Sequence, residues 1–334
     1  MDAADLDAGV RNLVSGCAEV KAGQRVLVVA EDPALGWYDD AAPRAVARAA
    51  RAIGAEVAVL PVGGPSEQPP GLAAALADVD VAIFFAQLGD QDRFTGDDAG
   101  PIRVMSYART ADALASPYGR RDHGEMLRVK RAVDELLSQA TEITIRCPLG
   151  THMKGTPGRG SPDGAADIAI RRFPMCVPTP VSAQRFSGRV VLAEPLTSTG
   201  SQVYDPPWLA IPEPVTAEVE NGRIAAFRGA PEVVARIEAH YASVAERFGI
   251  DADVVHSWHA GIHDACAPAC ARDANPDLWS NSIFGNPNYL HFHTCGDYPP
   301  GEICWMVAAP TIAADDRVVW REGALVGPIL PTPG

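Results

Sequence analysis

Five of the eight histidines and four of the seven cysteines of this 334-residue chain fall between His256 and Cys304. Packing gives no reason to gather so many imidazoles and thiols in one segment, so the clustering points to metal or proton chemistry. His291 and His293 stand at i, i+2 in NYLHFHT, a stretch rich in strand formers, and an extended chain sends both rings to one face. Two imidazoles so placed can reach one ion. Tyr289, Leu290 and Phe292 around them favour a covered strand over a solvated one. His256, His259 and His263 are spaced i, i+3, i+7, which aligns them only in a helix, and Gly261 weakens that reading.

Two carboxylates, Asp297 and Glu302, follow closely. Two imidazoles and one carboxylate on one face of an octahedron suit Fe(II), because that set leaves positions for a substrate and O2. Zinc is the competing reading: Cys266, Cys270, Cys295 and Cys304 could form a closed thiolate or mixed site, but Pro268 stiffens the Cys266 to Cys270 spacing, which lacks the paired pattern of a zinc ribbon. The default reading for these thiols is buried free cysteine. No GxSxG and no cysteine–histidine protease motif is present, so nucleophilic catalysis has little backing. Tyr107 and Arg109 in MSYARTAD, His152 in GTHMKG, and Tyr204 with Trp208 in VYDPPW are further residues that could line a pocket.

The elements that must position these groups read as two halves. A helical pattern over 5–20 leads to RVLVVA at 25–30, a short bounded apolar run of the kind buried in parallel sheets. A helix over 42–53, the strand EVAVLPV at 56–62, a short alanine-rich helix and the strand in DVDVAIFFA follow. Helical spacing then covers 103–115 and 124–138, and EITIRC at 142–147 supplies a fourth strand. Strands alternating with helices imply a parallel sheet covered on both faces. Gly63-Gly64 is present, but no GxGxxG opens a helix and no GxxxxGK occurs, so a nucleotide role has no support.

After Cys147 the texture becomes loop-rich, with short strands, a turn at Asn221-Gly222, a helix from Pro231 to Phe248 ended by Gly249, and a closing strand, turn and strand in PTIAADDRVVWREGAL. The expected architecture is α/β: a parallel-sheet α/β domain over 1–146, then a largely antiparallel α+β domain over 147–334 that carries the metal site. No internal repeat is visible.

A net charge of −14 without a basic run repels phosphate backbones and anionic headgroups, so nucleic acid and membrane partners are not expected. The acidic opening MDAADLDAGV and the lack of an apolar run of about 20 residues lead to the expectation of a cytoplasmic protein. Seven scattered cysteines argue for reduced thiols.

HAGI at 259–262, NYLHFHTCGD at 288–297, GEICWMVAAPTI at 301–312 and DDRVVWREGAL, together with KAGQRVLVVAED near the start, give the chain a family likeness. It resembles the 2,5-dihydroxypyridine 5,6-dioxygenases, nonheme-iron ring-cleaving enzymes that share the fold of the M29 (aminopeptidase T type) metallopeptidases. The resemblance implies an iron histidine in a His-x-Gly segment, which falls on His259. It also implies a His-x-Asp pair after a glycine, where this chain has Gly301-Glu302-Ile303-Cys304 instead. His291 or His293 would then supply the missing imidazole and Glu302 the carboxylate.

The function so implied is a mononuclear Fe(II) oxygenase of a hydroxypyridine-like ring, a homo-oligomer by expectation, giving ring cleavage or oxidative rearrangement with O2. A base would take the substrate's hydroxyl proton: His263, His152, Tyr107, or whichever of His291 and His293 is not a ligand. The competing expectations are an M29-like hydrolase with Zn or Co, and a non-enzymatic zinc-stabilised binding protein.

Overall fold

The computed structural model describes residues 2–67, 69–90, 100–158, 170–198, 204–296 and 301–326. Asp297 lies outside them. The chain divides into two compact units, Met1–Arg128 with Ala165–Cys176, and Val129–Gly164 with Val177–Gly334.

The first unit is built on a parallel sheet ordered Glu56–Val62, Arg25–Glu31, Val81–Phe85, Ile102–Ser106, Ile170–Phe173. Val81–Phe85 is buried at every residue, as a central strand covered on both faces must be. The helix Ala41–Ile53 turns a stripe of small residues, Ala42, Ala45, Ala47 and Ala50, inward. It stops at Gly54, whose φ of 97° is a left-handed cap that costs a residue without Cβ little.

Two expectations are corrected here. The segment 103–115 is not one helix: Ile102–Ser106 is a strand and only Ala111–Ala115 is helical, capped by the Thr110 hydroxyl accepting from the Ala113 N–H. Its pairing on both sides, with Val81–Phe85 and Ile170–Phe173, supplies ladder hydrogen bonds that local periodicity does not report. EITIRC is a strand, Ile143–Arg146, but it does not extend the parallel sheet. It lies antiparallel between His152–Gly155 and Thr311–Ala314, in the second unit. The parallel sheet instead takes its last strand from Ile170–Phe173, so the division of the chain differs from a single boundary after residue 146.

The second unit holds two antiparallel sheets. The eight-stranded one runs Arg223–Arg228, Val215–Glu220, Phe186–Leu192, His152–Gly155, Ile143–Arg146, Thr311–Ala314, Arg317–Arg321, Ala324–Leu325. Its first hairpin turns at Asn221-Gly222 with φ of 49° and 71°, the left-handed pair that a tight two-residue turn requires. The six-stranded one runs Trp208–Leu209, Leu196–Thr197, Glu302–Ala308, Tyr289–Cys295, Val255–Ala260, Val181–Ser182. The helix Pro231–Phe248 forms as its proline start and Gly249 stop require. Among the described residues no helix is long and apolar enough to cross a membrane. The α/β class, a parallel sheet followed by antiparallel sheets, is the architecture read from the sequence.

Candidate metal centre

Three neighbouring strands of the six-stranded sheet, Val255–Ala260, Tyr289–Cys295 and Glu302–Ala308, carry the chemistry. Alternation splits the middle strand into two faces. Leu290, Phe292 and Thr294 go one way, into a core with Trp258 and Trp305, where Phe292 meets Trp305 at 5.9 Å and Trp258 meets Phe186 edge-on at 5.9 Å. On that side Thr294 Oγ1 donates to the Ile303 carbonyl at 2.8 Å, and Trp305 Nε1 donates to the Tyr241 hydroxyl. His291 and His293 go the other way. The register sets His291 opposite His259 on one side and Met306 on the other, and sets His293 opposite Cys304. A strand, not a helix, therefore holds His256 and His259, and His263 lies in the loop beyond.

The three imidazoles come together as a cluster. The His259 ring lies 5.2 Å from that of His291, stacked at 15°, and 5.0 Å from that of His293. His259, His291, His293 and Glu302 are only 6, 3, 9 and 1% exposed, so bulk water is not their partner. Burial, and after it the neighbouring His293, push the pKa of His291 down to about 3. That ring is a neutral imidazole, the form that binds metals. The Glu302 carboxylate meets His293 Nδ1 through Oε1. Cys304 Sγ sits 3.6 Å from His291 Nδ1, with burial and then the Glu302 charge holding its thiol well above the ordinary value.

Whether the cluster suits a metal ion is decided by its donor atoms. His291 Nε2 and His293 Nε2 are buried without a hydrogen-bond partner. A buried polar nitrogen left so costs about 1–3 kcal/mol, which a coordinated divalent ion would offset. Among the described residues no group of three or more His, Cys, Asp or Glu side chains already stands at ligating distances. The residues fit a metal in type and burial, with two buried imidazole nitrogens left for it.

The cysteines do not assemble into the closed zinc site. Cys266 donates to the Ser282 carbonyl at 3.2 Å and Cys270 to the Asn275 carbonyl at 3.5 Å, and none of the seven cysteines is in a disulfide. His256 Nε2 bonds the Cys295 carbonyl at 2.8 Å, a structural contact. His263 is fully buried, its main-chain N–H donating to Gly285 at 2.9 Å. His152 is exposed on the eight-stranded sheet, opposite Arg146 and Arg189, and is not among the groups gathered around His259. Tyr107 belongs to the first unit, where its hydroxyl donates to Asp90 at 2.7 Å; Arg109, in the same unit, packs over the Trp37 ring at 5.0 Å. The Tyr204 hydroxyl donates to the Glu302 main-chain carbonyl at 2.7 Å, while Trp208 sits half-exposed on an edge strand. Sequence reasoning missed Cys304 as a neighbour of the cluster; its alternation with Glu302 in GEIC was the signal, legible only once the register is known.

No family model matches the chain, and no curated protein matches it. Among solved structures it is similar to 2,5-dihydroxypyridine dioxygenase from Pseudomonas putida KT2440, with a TM-score of 0.64 and 17% identity over 98% of this chain and 99% of that one. It is also similar to AmpT from Thermus thermophilus, with a TM-score of 0.54 and 12% identity over 97% of this chain and 99% of that one. At these identities the likeness is one of fold.

Proposed function

We propose that this protein is a mononuclear nonheme Fe(II) oxygenase acting on a hydroxylated nitrogen heteroaromatic, with His259, His291 and His293 holding the ion. The observation that carries the reading is the cluster itself: three buried imidazoles on one sheet face, two of them with an unpartnered Nε2. The fold likeness to a dihydroxypyridine dioxygenase supports the substrate class. When bound, the ion would supply a redox-active Lewis acid at which O2 and a ring hydroxyl meet.

The rest is done by the chain's own residues. The imidazoles bring no negative charge and the single Glu302 carboxylate on His293 Nδ1 offsets only part of a divalent ion's charge, which favours a substrate bound as its hydroxyl-deprotonated anion. Trp279, Ile283, Cys304 and Met306 form an apolar cluster beside His291, with Tyr289 and Cys270 packed on it, and keep water from that side. His263, four residues beyond His259 and buried, is the base assigned to the substrate's hydroxyl proton. His152 and Tyr107 have no part in this assignment.

A second reading rests on the ligand type, since three histidines also hold catalytic zinc, and on the fold likeness to AmpT. Anaerobic purification, metal analysis and O2 uptake with a panel of dihydroxypyridines separate the two. Stoichiometric iron and iron-dependent O2 consumption are expected; zinc or cobalt supporting peptide cleavage without O2, and no uptake with any heteroaromatic, would sink the oxygenase reading.

A further inference from the structure

A histidine that binds a metal through Nε2 carries its proton on Nδ1 and needs an acceptor there. His293 and His291 each have one, and both acceptors come from the neighbouring strand. His293 Nδ1 faces Glu302 Oε1, and His291 Nδ1 faces Cys304 Sγ at 3.6 Å. The offset is the same in both cases. His293 is paired across the ladder with Cys304 but reaches the residue two before it; His291 is paired with Met306 and also reaches the residue two before it. Diagonal neighbours of this kind lie within reach of long side chains. One geometric device is thus used twice, one step apart along the strand.

The proton count agrees. Cys304 Sγ also contacts the Trp305 carbonyl at 3.7 Å, which gives its S–H an acceptor and leaves the sulfur lone pairs to receive His291 Nδ1–H. Glu302 is an acceptor by nature, and its backbone is pinned by the Tyr204 hydroxyl. With Nδ1 occupied on both rings, the two buried nitrogens without partners are both Nε2.

We infer that Glu302 and Cys304 are positioning residues that hold the His293 and His291 rings from behind, and that neither ligates the ion. The inference rests on the metal reading proposed above, and it reverses the ligand role that residue type alone assigned to Glu302. It also gives Gly301-Glu302-Ile303-Cys304 a use: the strand that lacks a His-x-Asp pair orients imidazoles supplied by the strand beside it. The two supports differ in strength, because a carboxylate makes a charge-assisted bond and a thiol a weak one. Glu302 is therefore the dominant support.

The test has an arm that needs no metal. Nitrogen-15 imidazole spectra of the metal-free protein should show His291 and His293 as Nδ1–H tautomers, with His293 shifting in Glu302→Ala and returning toward its wild-type position in Glu302→Gln. An Nε2–H tautomer on either ring overturns the inference.

The second arm titrates the whole chain with Co(II), followed by absorption spectroscopy and calorimetry. Glu302→Gln and Cys304→Ser should still bind one equivalent, Glu302→Ala about 10–100-fold more weakly, and no spectrum should contain a thiolate-to-cobalt charge-transfer band. Such a band, or loss of the binding stoichiometry in Glu302→Gln with unchanged circular dichroism, makes these residues ligands and leaves the metal reading intact. Undiminished Co(II) binding by His259→Ala, His291→Ala and His293→Ala defeats the metal reading itself, and this inference with it.

Discussion

On the proposed metal reading, two histidines in the same segment take opposite roles because of what their Nε2 atoms meet. His293 Nε2 is buried and unpartnered, whereas His256 Nε2 bonds the Cys295 carbonyl at 2.8 Å. His293→Ala should purify without metal. His256→Ala should keep it and lose only about 1 kcal/mol of stability, read by metal analysis and urea unfolding. Glu31 offers a separate test. It is 2% exposed at the end of Arg25–Glu31, accepts from the Gln87 N–H at 2.8 Å, and has its carboxyl held above the ordinary range by burial. A raised folded-state value means that the native state binds the proton more tightly than the unfolded chain. The associated stability is present below the usual carboxyl range and is lost as pH rises through the folded value. Glu31→Gln should therefore melt higher than wild type at neutral pH, with the gap closing on acidification. It would also offer an amide N–H to Gln87 Oε1, which is buried without a partner.

At the scale of the element, the strand Tyr289–Cys295 works because its two faces do different things. One presents imidazoles; the other anchors the strand through Leu290 and Phe292, both fully buried. Phe292→Ala should cost about 3–5 kcal/mol in urea unfolding of the metal-free protein. It should also weaken metal binding, although Phe292 faces away from the cluster. The turn after His259 is fixed by close approach: a Cβ at Gly261 would lie 2.3 Å from the Gly285 carbonyl carbon and oxygen. Gly261→Ala must separate two backbones. Its melting temperature should fall, and the metal should be bound less tightly because His259 is two residues away.

For the whole molecule, the chain's division into two units makes a cut at 146/147 a poor one. Ile143–Arg146 lies inside the eight-stranded sheet, between His152–Gly155 and Thr311–Ala314, so a fragment of residues 147–334 opens that sheet in its middle. Both neighbours would present unpaired edges. The fragment should be aggregated or unfolded by size exclusion and circular dichroism; a monomeric fragment with native-like strand content would show that the sheet tolerates the gap.

The local pattern was enough to read the apolar strands around RVLVVA and VAIFF, the Asn221-Gly222 hairpin, the Pro231–Phe248 helix and the shared face of His291 and His293. Each depends on spacing and on residues within a few positions of one another. Periodicity says which face of an element is buried, but not which element covers it. That is why 103–115 reads as one helix and Ile143–Arg146 as part of the parallel sheet. It is also why the neighbours of the imidazoles stayed hidden. His259 meets His291 across a gap of 32 positions, and Glu302 and Cys304 reach His293 and His291 diagonally. Those encounters depend on the register of ladder hydrogen bonds between distant segments, and a slip of one residue would turn every ring to the other face.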